Sequence, residues 1–269
     1  MDYQTIAVER KPHACILYLN RPEVLNALSN EMREELLHFL QQAGEDEDVR
    51  VLIVSGRGRA FSAGADLNVF KQRYETFRQQ GQIDGAFRKL LPAAITSFPK
   101  PIIAAVNGPA VGFGATMPLI CDIRIVSTQA TFSYAFLRLG VTPEFGSSYM
   151  LPRLIGHGKA AELIYTARTI DAQEALQIGL VNQVTPPEEL LPKAEEMAKE
   201  ISRMPPSAVQ WAKKMLRSGS DTGMDQVLEY ETIMLQQAMQ TQEHYDAVCA
   251  ILDGLRAKRG DRTAPSSQA

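Results

Sequence analysis

Two apolar segments in the first half of the chain each run into a loop that is rich in glycine and other small residues. Residues 51–54 precede the loop 55–64, and residues 102–106 precede the loop 107–114. Short apolar runs bounded by glycine are typical of buried strands, and a helix-like segment follows each loop. Repeated strand–loop–helix units predict an α/β fold.

The neighbouring segments favour the same fold class. Residues 6–8 and 14–19 are expected to form paired strands joined by a turn, and residues 123–126 a further strand. Ser29 is expected to cap a helix that reaches Leu40, because its hydroxyl can accept a hydrogen bond from the first helical turn.

The character of the sequence changes after Pro186, where the apolar residues follow helical spacing almost throughout. We therefore place a boundary near residue 200. It divides an α/β core (residues 1–200) from a helical region (201–260), which a polar tail (261–269) expected to be disordered follows.

Charge and cysteine content limit the classes of function. A formal net charge of -3 argues against a nucleic-acid partner. Three well-separated cysteines form no disulfide framework, which favours a reducing compartment. The N-terminus lacks the apolar run of a signal peptide, and glycine and proline interrupt the apolar stretch 101–120, so we expect a cytoplasmic protein with no membrane partner.

The two glycine-rich loops are candidates for an anion site. Free N–H groups at the start of a helix attract negative charge, and two such loops facing one cavity would form an oxyanion hole. Each loop taken alone could equally be a tight strand-to-helix turn. The spacing of Gly108, Gly112 and Gly114 is wrong for a dinucleotide fingerprint, and no histidine or cysteine cluster suggests a metal.

Four segments together resemble the signatures of the crotonase (enoyl-CoA hydratase/isomerase) superfamily. They are Arg-Pro-x-x-x-Asn-Ala-Leu at 21–28, Phe-Ser-Ala-Gly-Ala-Asp-Leu at 61–67, Asn-Gly-Pro-Ala-Val-Gly-Phe-Gly at 107–114 with Cys-Asp-Ile at 121–123, and Ala-x-x-x-Gly-Leu-Val at 175–181. The resemblance covers roughly residues 5 to 260. It implies a spiral of ββα units, a C-terminal helical trimerisation region, and a homotrimer or a dimer of trimers. It also implies that the amides of Ala63 and Phe113 hold the oxygen of an acyl-CoA thioester.

The side chains around this site decide which reaction such a fold carries out. The two glutamates that hydratases of this superfamily use correspond to Thr116 and Phe136, so neither carboxylate is present. Glu144, in the run Pro-Glu-Phe-Gly-Ser-Ser-Tyr, resembles the single catalytic glutamate of Δ3,Δ2-enoyl-CoA isomerases. An acidic residue at a helix start is also favoured by the helix dipole alone, which is the alternative interpretation of Glu144.

The sequence therefore predicts an isomerase that converts a 3-enoyl-CoA to a trans-2-enoyl-CoA, with Glu144 as acid and base. The alternatives are another acyl-CoA enzyme of this fold, such as an isomerase of ring-derived substrates or an atypical hydratase, and a non-catalytic acyl-CoA-binding protein. No cofactor or metal is expected, since coenzyme A is part of the substrate. Chain length, pathway and the choice between trimer and hexamer stay open.

The resemblance also implies residues that bind the substrate. Val24, Leu25 and Ala27, as apolar residues near a turn, could equally be plain core, and Thr116 could equally serve only to pack its helix. The predicted substrate-binding residues are Val24, Leu25, Ala27, Ala65, Asp66, Leu67, Gly112, Thr116 and Phe136.

Overall fold

The computed structural model describes residues 2–81, 87–219 and 222–259. The chain separates into two compact units, of which the first ends at Ser202 and the second begins at Arg203. This division lies next to the boundary expected near residue 200. The tail expected at 261–269 lies outside the described residues.

Strands occur only in the first unit among the described residues. They are β1 (Ile6–Lys11), β2 (Ala14–Leu19), β3 (Val51–Gly56), β4 (Ile102–Val106), β5 (Ala110–Val111), β6 (Ile123–Ser127), β7 (Thr131–Ser133), β8 (Thr169–Asp171) and β9 (Gln183–Thr185).

Helices surround these strands and make up the second unit. The α-helices are α1 (Asn30–Glu45), α2 (Leu67–Gln80), α3 (Phe87–Ser97), α4 (Phe113–Thr116), α5 (Ser147–Ile155), α6 (His157–Thr166), α7 (Ala172–Gln177), α8 (Leu190–Ser202), α9 (Pro206–Gly219), α10 (Met224–Met239) and α11 (Gln242–Arg259). Short 3-10 helices span Pro22–Val24, Met117–Ile120, Leu137–Leu139 and Pro187–Glu189.

The main sheet positions both glycine-rich loops. Its strands follow the order β1-β2-β3-β4-β6-β9 within the described residues, and a smaller sheet has the order β5-β7-β8. In the main sheet β1 pairs antiparallel with β2, and all other pairs are parallel. The carboxyl ends of β3 and β4 therefore lie at the same edge, where loops 55–64 and 107–114 begin.

Both faces of the central strands of the main sheet are buried. Residues of β3 and β4 are buried throughout, as expected for parallel strands covered on two sides. On one face Ile53 packs in a cluster with Leu190 and Ala194 of α8. On the other, Leu52 belongs to the larger core that includes Leu36 of α1.

Local sequence signals predict most of these elements. The paired β1 and β2 and the strand β4 lie where expected, and the Ser29 hydroxyl accepts a hydrogen bond from Met32 N at 3.1 Å. The helix expected after loop 107–114 is shorter than the apolar run suggests. It consists of the single turn α4, and Pro118 follows in a 3-10 helix.

The second unit is helical throughout its described residues. Ser207 at the start of α9 donates from its backbone N and its hydroxyl to the carboxylate of Glu243 on α11, at 3.2 and 2.6 Å. The expected role of these helices in trimerisation stays a prediction. None of the described helices combines the length and the hydropathy that a bilayer crossing would require.

Candidate active site

Ala65 directly follows the first glycine-rich loop, and its N–H points away from Leu28, with which it pairs. Ala65 forms a parallel bridge with Leu28, in which Leu28 N donates to Gly64 O at 2.7 Å and Asp66 N donates to Leu28 O at 3.1 Å. In such a bridge, the residue between the two bonded groups directs its own N–H to the opposite side. Ala65 also lines a cavity of about 80 Å³. Because the bridge does not use its N–H, this amide is the candidate donor of the first loop.

The second loop supplies another available amide. Phe113 is the first residue of α4, and the N–H of a first helical residue has no acceptor within its own helix. The preceding residues are fixed, because Val111 N donates to Ser62 O and Gly112 N donates to Ser133 O, both at 2.9 Å. The backbone that leads to the Phe113 amide is therefore anchored to two other segments, at Ser62 and at Ser133.

The two loops touch through their backbones. A Cβ atom on Gly64, whose φ is 102°, would lie 2.9 Å from Val111 O, and one on Gly114 would lie 2.3 Å from Ser62 O. Only glycine permits such an approach. Gly64 precedes Ala65 and Gly112 precedes Phe113, and both glycines belong to this contact. The amides of Ala65 and Phe113 therefore lie next to the same contact between the loops.

Ala63 does not fit the role expected of it. Its N–H donates to Leu25 O at 2.8 Å and is therefore already used within the protein. The structure favours Ala65 as the donor of the first loop instead. The difference is one of backbone direction, because the left-handed Gly64, with φ of 102°, turns the chain between the two alanines.

Asn26 ties the first loop to the segment before it. It is fully buried and accepts from Arg21 N at 2.8 Å, while its amide donates to Arg57 O and Ala60 O, both at 2.9 Å. The Ser62 hydroxyl in turn donates to Asn26 O at 2.8 Å. The backbone of Asn26 is left-handed, with φ of 56°, a conformation that asparagine tolerates better than most residues.

Glu144 lines the same cavity as Ala65. Glu144 is half-buried. Its backbone carbonyl oxygen accepts hydrogen bonds from Ser147 N at 3.0 Å and from Ser147 Oγ at 2.7 Å. Among the described residues that line the cavity, Glu144 is the one acidic side chain. The structure thus brings together the predicted acid and the first loop.

Phe145 connects Glu144 to the second loop. Its ring packs edge-on against the ring of Phe113 with centroids 5.2 Å apart. The backbone is left-handed at Phe145 (φ of 59°) and at Gly146 (φ of 77°). Such a conformation is costly for a phenylalanine, and strained backbone of this kind clusters at active sites.

Neither position that corresponds to a hydratase glutamate faces this cavity as far as the structure describes it. Thr116 is fully buried and its hydroxyl donates to Phe113 O at 3.3 Å. Phe136 is buried in the main core. Neither side chain has a carboxylate that could activate water.

The remaining predicted binding residues lie around the first loop. Asp66 caps α2 by accepting from Asn68 N at 3.1 Å and lies 3.4 Å from the guanidinium of Arg21. Val24 and Leu67 are exposed, whereas Ala27 is buried. Their contacts with coenzyme A stay predictions.

Sequence reasoning missed two arginines at the cavity, Arg33 of α1 and Arg73 of α2. Arg33 precedes the buried Leu36 and Leu40 by three and seven residues, which places it on the inward face of its helix. A charged residue on the apolar stripe of a helix is the signal that could have revealed it.

A family model described as enoyl-CoA hydratase/isomerase matches residues 9–256. The chain belongs to this family. A relative described as crotonyl-CoA hydratase, from Syntrophomonas wolfei, is 36% identical over 258 residues, which cover 96% of this chain and 98% of the relative. The family acts on acyl-CoA substrates, and this chain is one of its enzymes.

Solved structures of the family share the fold. An enoyl-CoA hydratase from Bacillus anthracis has 36% identity and a TM-score of 0.83, covering 97% of this chain and 98% of its own. A monofunctional enoyl CoA isomerase from M. smegmatis has 33% identity and a TM-score of 0.72, covering 83% and 98%. The predicted α/β crotonase fold is therefore confirmed, while the relatives include both hydratases and an isomerase.

Proposed function

We propose that this enzyme is an isomerase that moves the double bond of a 3-enoyl-CoA to the trans-2 position. The observation that carries the proposal is the set of acids at the cavity. Glu144 lines it beside Ala65, and the positions of the two hydratase glutamates hold Thr116 and Phe136. A single carboxylate can move a proton between two carbons, whereas hydration in this family uses two carboxylates.

The reaction begins with removal of a proton from C2 by the carboxylate of Glu144. The C–H electron pair moves towards the thioester and forms a dienolate, whose negative charge lies largely on the thioester oxygen. Hydrogen bonds from the amides of Ala65 and Phe113 stabilise that charge. Preorganised donors of this kind are commonly the largest electrostatic contribution to catalysis.

The reaction ends when the protonated Glu144 returns the proton at C4. The double bond then lies between C2 and C3, and the carboxylate is regenerated for the next turnover. One proton leaves and one returns, so the step balances without a redox partner. The half-buried position of Glu144 beside Phe145 limits exchange of this proton with water.

Hydration is the second candidate, because the relative from Syntrophomonas wolfei and the structure from Bacillus anthracis are both described as hydratases. The test assays the purified enzyme with 3-hexenoyl-CoA and, separately, with crotonyl-CoA. Isomerisation creates a conjugated enoyl thioester and its absorbance rises, whereas hydration of crotonyl-CoA removes that absorbance.

We expect the enzyme to isomerise 3-hexenoyl-CoA. Hydration of crotonyl-CoA should be slower than this isomerisation by about a hundredfold or more, since each missing general acid or base lowers a rate by about that factor. Rapid hydration of crotonyl-CoA with no isomerisation would reject the proposal. Tight acyl-CoA binding without either reaction would identify a non-catalytic binding protein.

A further inference from the structure

The turn that carries Glu144 holds an aromatic residue in a conformation that does not suit it. Phe145 has φ of 59°, and Gly146 has φ of 77° and ψ of 7°. Ser147 N donates to Glu144 O across them at 3.0 Å, so the turn has two left-handed central residues, as in a type I′ turn. Glycine, asparagine and aspartate dominate such positions, because other side chains crowd the backbone there. A phenylalanine at position 145 therefore requires an explanation.

The contact that the Phe145 ring makes supplies this explanation. The side chain is buried in the main core, where it packs edge-on against the ring of Phe113. The ring centroids are 5.2 Å apart and the ring planes meet at 82°. Edge-on aromatic pairs add a directional attraction to the burial of apolar surface. This contact can offset the cost of the left-handed backbone, which a smaller residue would avoid without forming the contact.

The ring pair joins the two groups that the proposed reaction uses. Phe113 bears the amide assigned to the thioester oxygen, and Phe145 directly follows Glu144, whose carboxylate moves the proton. Glu144 and Phe145 both line the cavity. A shift of one ring against the other therefore changes the position of the carboxylate relative to the amide.

The other side of the turn is fixed as well. Ser147 is buried, and its hydroxyl donates to Glu144 O at 2.7 Å in addition to the bond from its N–H. Pro143, which precedes Glu144, has a φ that its ring restricts. The backbone at Glu144 is thus held by local bonds, and the ring of Phe145 relates it to the second glycine-rich loop.

We infer that Phe145 is a positioning residue for the proton transfer, because its contact with Phe113 sets the distance between the Glu144 carboxylate and the Phe113 amide. Base and oxyanion donor must meet one substrate at the same time, and a misplacement of about 1 Å can lower a rate by about a hundredfold. The ring itself takes no proton. The inference rests on the proposed function, since it concerns the geometry of that reaction.

A double-mutant cycle of Phe113→Leu, Phe145→Leu and the double variant tests this role. Leucine is also apolar and also disfavours a left-handed backbone, so the cycle isolates the ring pair. The control is Phe39→Leu. Phe39 is buried and packs edge-on against the ring of Tyr3 at 6.3 Å, but it is not among the described residues that line the cavity. Isomerisation of 3-hexenoyl-CoA, binding of hexanoyl-CoA and urea unfolding are measured for every variant.

We expect each single variant of the cycle to lower kcat and kcat/KM together by about tenfold to a hundredfold, while the Kd for hexanoyl-CoA changes little. The double variant should be no slower than the slower single variant, because either substitution already breaks the contact. Phe39→Leu should be destabilised like Phe145→Leu and keep wild-type kcat. Additive losses in the cycle, or wild-type kcat in Phe145→Leu, overturn the inference.

Phe145→Asn is the second variant, in case Phe145→Leu does not fold. Asparagine tolerates a positive φ but has no ring, so it keeps the turn and removes the contact. It should lose kcat to the same extent as Phe145→Leu. Wild-type kcat in a folded Phe145→Asn protein likewise overturns the inference.

Hydrogen exchange at C2 of hexanoyl-CoA in D₂O, followed by mass spectrometry, separates this inference from the proposed reaction. The exchange requires the carboxylate and the amide but no double bond. Exchange without isomerisation by the wild type would reject the proposed reaction, and the exchange rates of the same cycle would then decide the role of Phe145. Isomerisation without coupling between the two rings would reject the positioning role and leave the reaction standing. Absence of both activities from the wild type would reject both.

Discussion

At the scale of single residues, the chemistry assigned to Glu144 can be separated from binding. Glu144→Gln keeps the shape of the side chain and removes its ability to take a proton. We expect kcat for 3-enoyl-CoA isomerisation to fall by about a hundredfold to ten-thousandfold, the usual contribution of a general acid or base. The Kd for a saturated acyl-CoA should change little.

The control for this variant is Glu188→Gln, because Glu188 is exposed in a 3-10 helix outside the cavity. It should retain wild-type kcat. Full isomerase activity in Glu144→Gln would mean that another group transfers the proton.

Asn26 permits a second prediction at this scale. Its side chain satisfies Arg21 N, Arg57 O and Ala60 O in a buried position. Asn26→Ala leaves these groups without their partner, which we expect to lower the free energy of unfolding by about 2–4 kcal/mol. Urea unfolding measures this loss, and Asn68→Ala, an exposed position, should change the value by less than about 0.5 kcal/mol.

Since Asn26 supports the loop that precedes Ala65, Asn26→Ala should also lower kcat at temperatures where the variant is still folded. A variant with wild-type kcat and wild-type stability would show that the loop holds its position without these bonds.

The sequence predicts some of these residues and not others, for physical reasons. Glu144 could be predicted because a proline turn and a helix start enclose it in a recognisable run. The choice between Ala63 and Ala65 could not, because it depends on which amide the bridge to Leu28 turns outward. Arg73 could not be placed at the cavity from an isolated helix that is polar on most sides.

At the scale of elements, the approach of the two glycine-rich loops depends on Gly114. A Cβ atom there would meet Ser62 O at 2.3 Å, so Gly114→Ala must push the loops apart. We expect a loss of about 1–3 kcal/mol in the free energy of unfolding, typical of overpacking, together with a lower kcat.

Gly158 offers a matched control for this substitution. It lies in α6, and a Cβ atom there would meet nothing within 4 Å. Gly158→Ala should raise stability by up to about 1 kcal/mol, because alanine is the better helix former. Equal effects of the two substitutions would argue against a close contact between the loops.

The attachment of the N-terminal segment to α1 predicts a pH dependence. Burial acts to raise the pKa of Glu35, but hydrogen bonds from Gln4, Thr5 and Ile6 outweigh it and hold the pKa below its ordinary value of 4.5. A lowered folded-state pKa gives stability that is full above the unfolded pKa and is lost as pH falls through the folded pKa.

Urea unfolding of wild type and Glu35→Gln at several pH values tests this attachment. Near neutral pH we expect the wild type to be more stable by about 1–3 kcal/mol, as for a buried hydrogen-bonded carboxylate. The difference should shrink as the pH falls below 4.5. A difference that stayed constant down to acid pH would show that ionisation of Glu35 contributes nothing.

The elements themselves follow from the sequence where local signals are strong. Strand β4 and the capped start of α1 could be predicted. A short apolar run that ends at a glycine-rich loop indicates a buried strand, and a serine before residues at helical spacing indicates a helix start. The short strands β5 and β8 could not, because two or three residues give no periodicity. They exist only because they pair with β7.

At the scale of the whole molecule, the second unit shows a surface that suits self-association. The residues Val248, Ile251, Leu252 and Leu255 of α11 are all exposed, and their spacing of three, one and three residues places them on one side of the helix, where they form one apolar stripe. Exposed apolar surfaces of this kind commonly mark interfaces. The expected homotrimer would cover such a stripe.

Light scattering after size exclusion tests the assembly. The wild type should have the mass of three chains or six. Ile251→Glu places a charge in the middle of the stripe, where burial against another chain would be costly, so we expect it to shift the protein towards the monomer. Ala250→Glu adds the same charge at an exposed position on the opposite face of α11 and should leave the mass unchanged. A wild-type chain that stays monomeric at high concentration would contradict the trimer, and an Ile251→Glu variant of unchanged mass would mean that the subunits meet elsewhere.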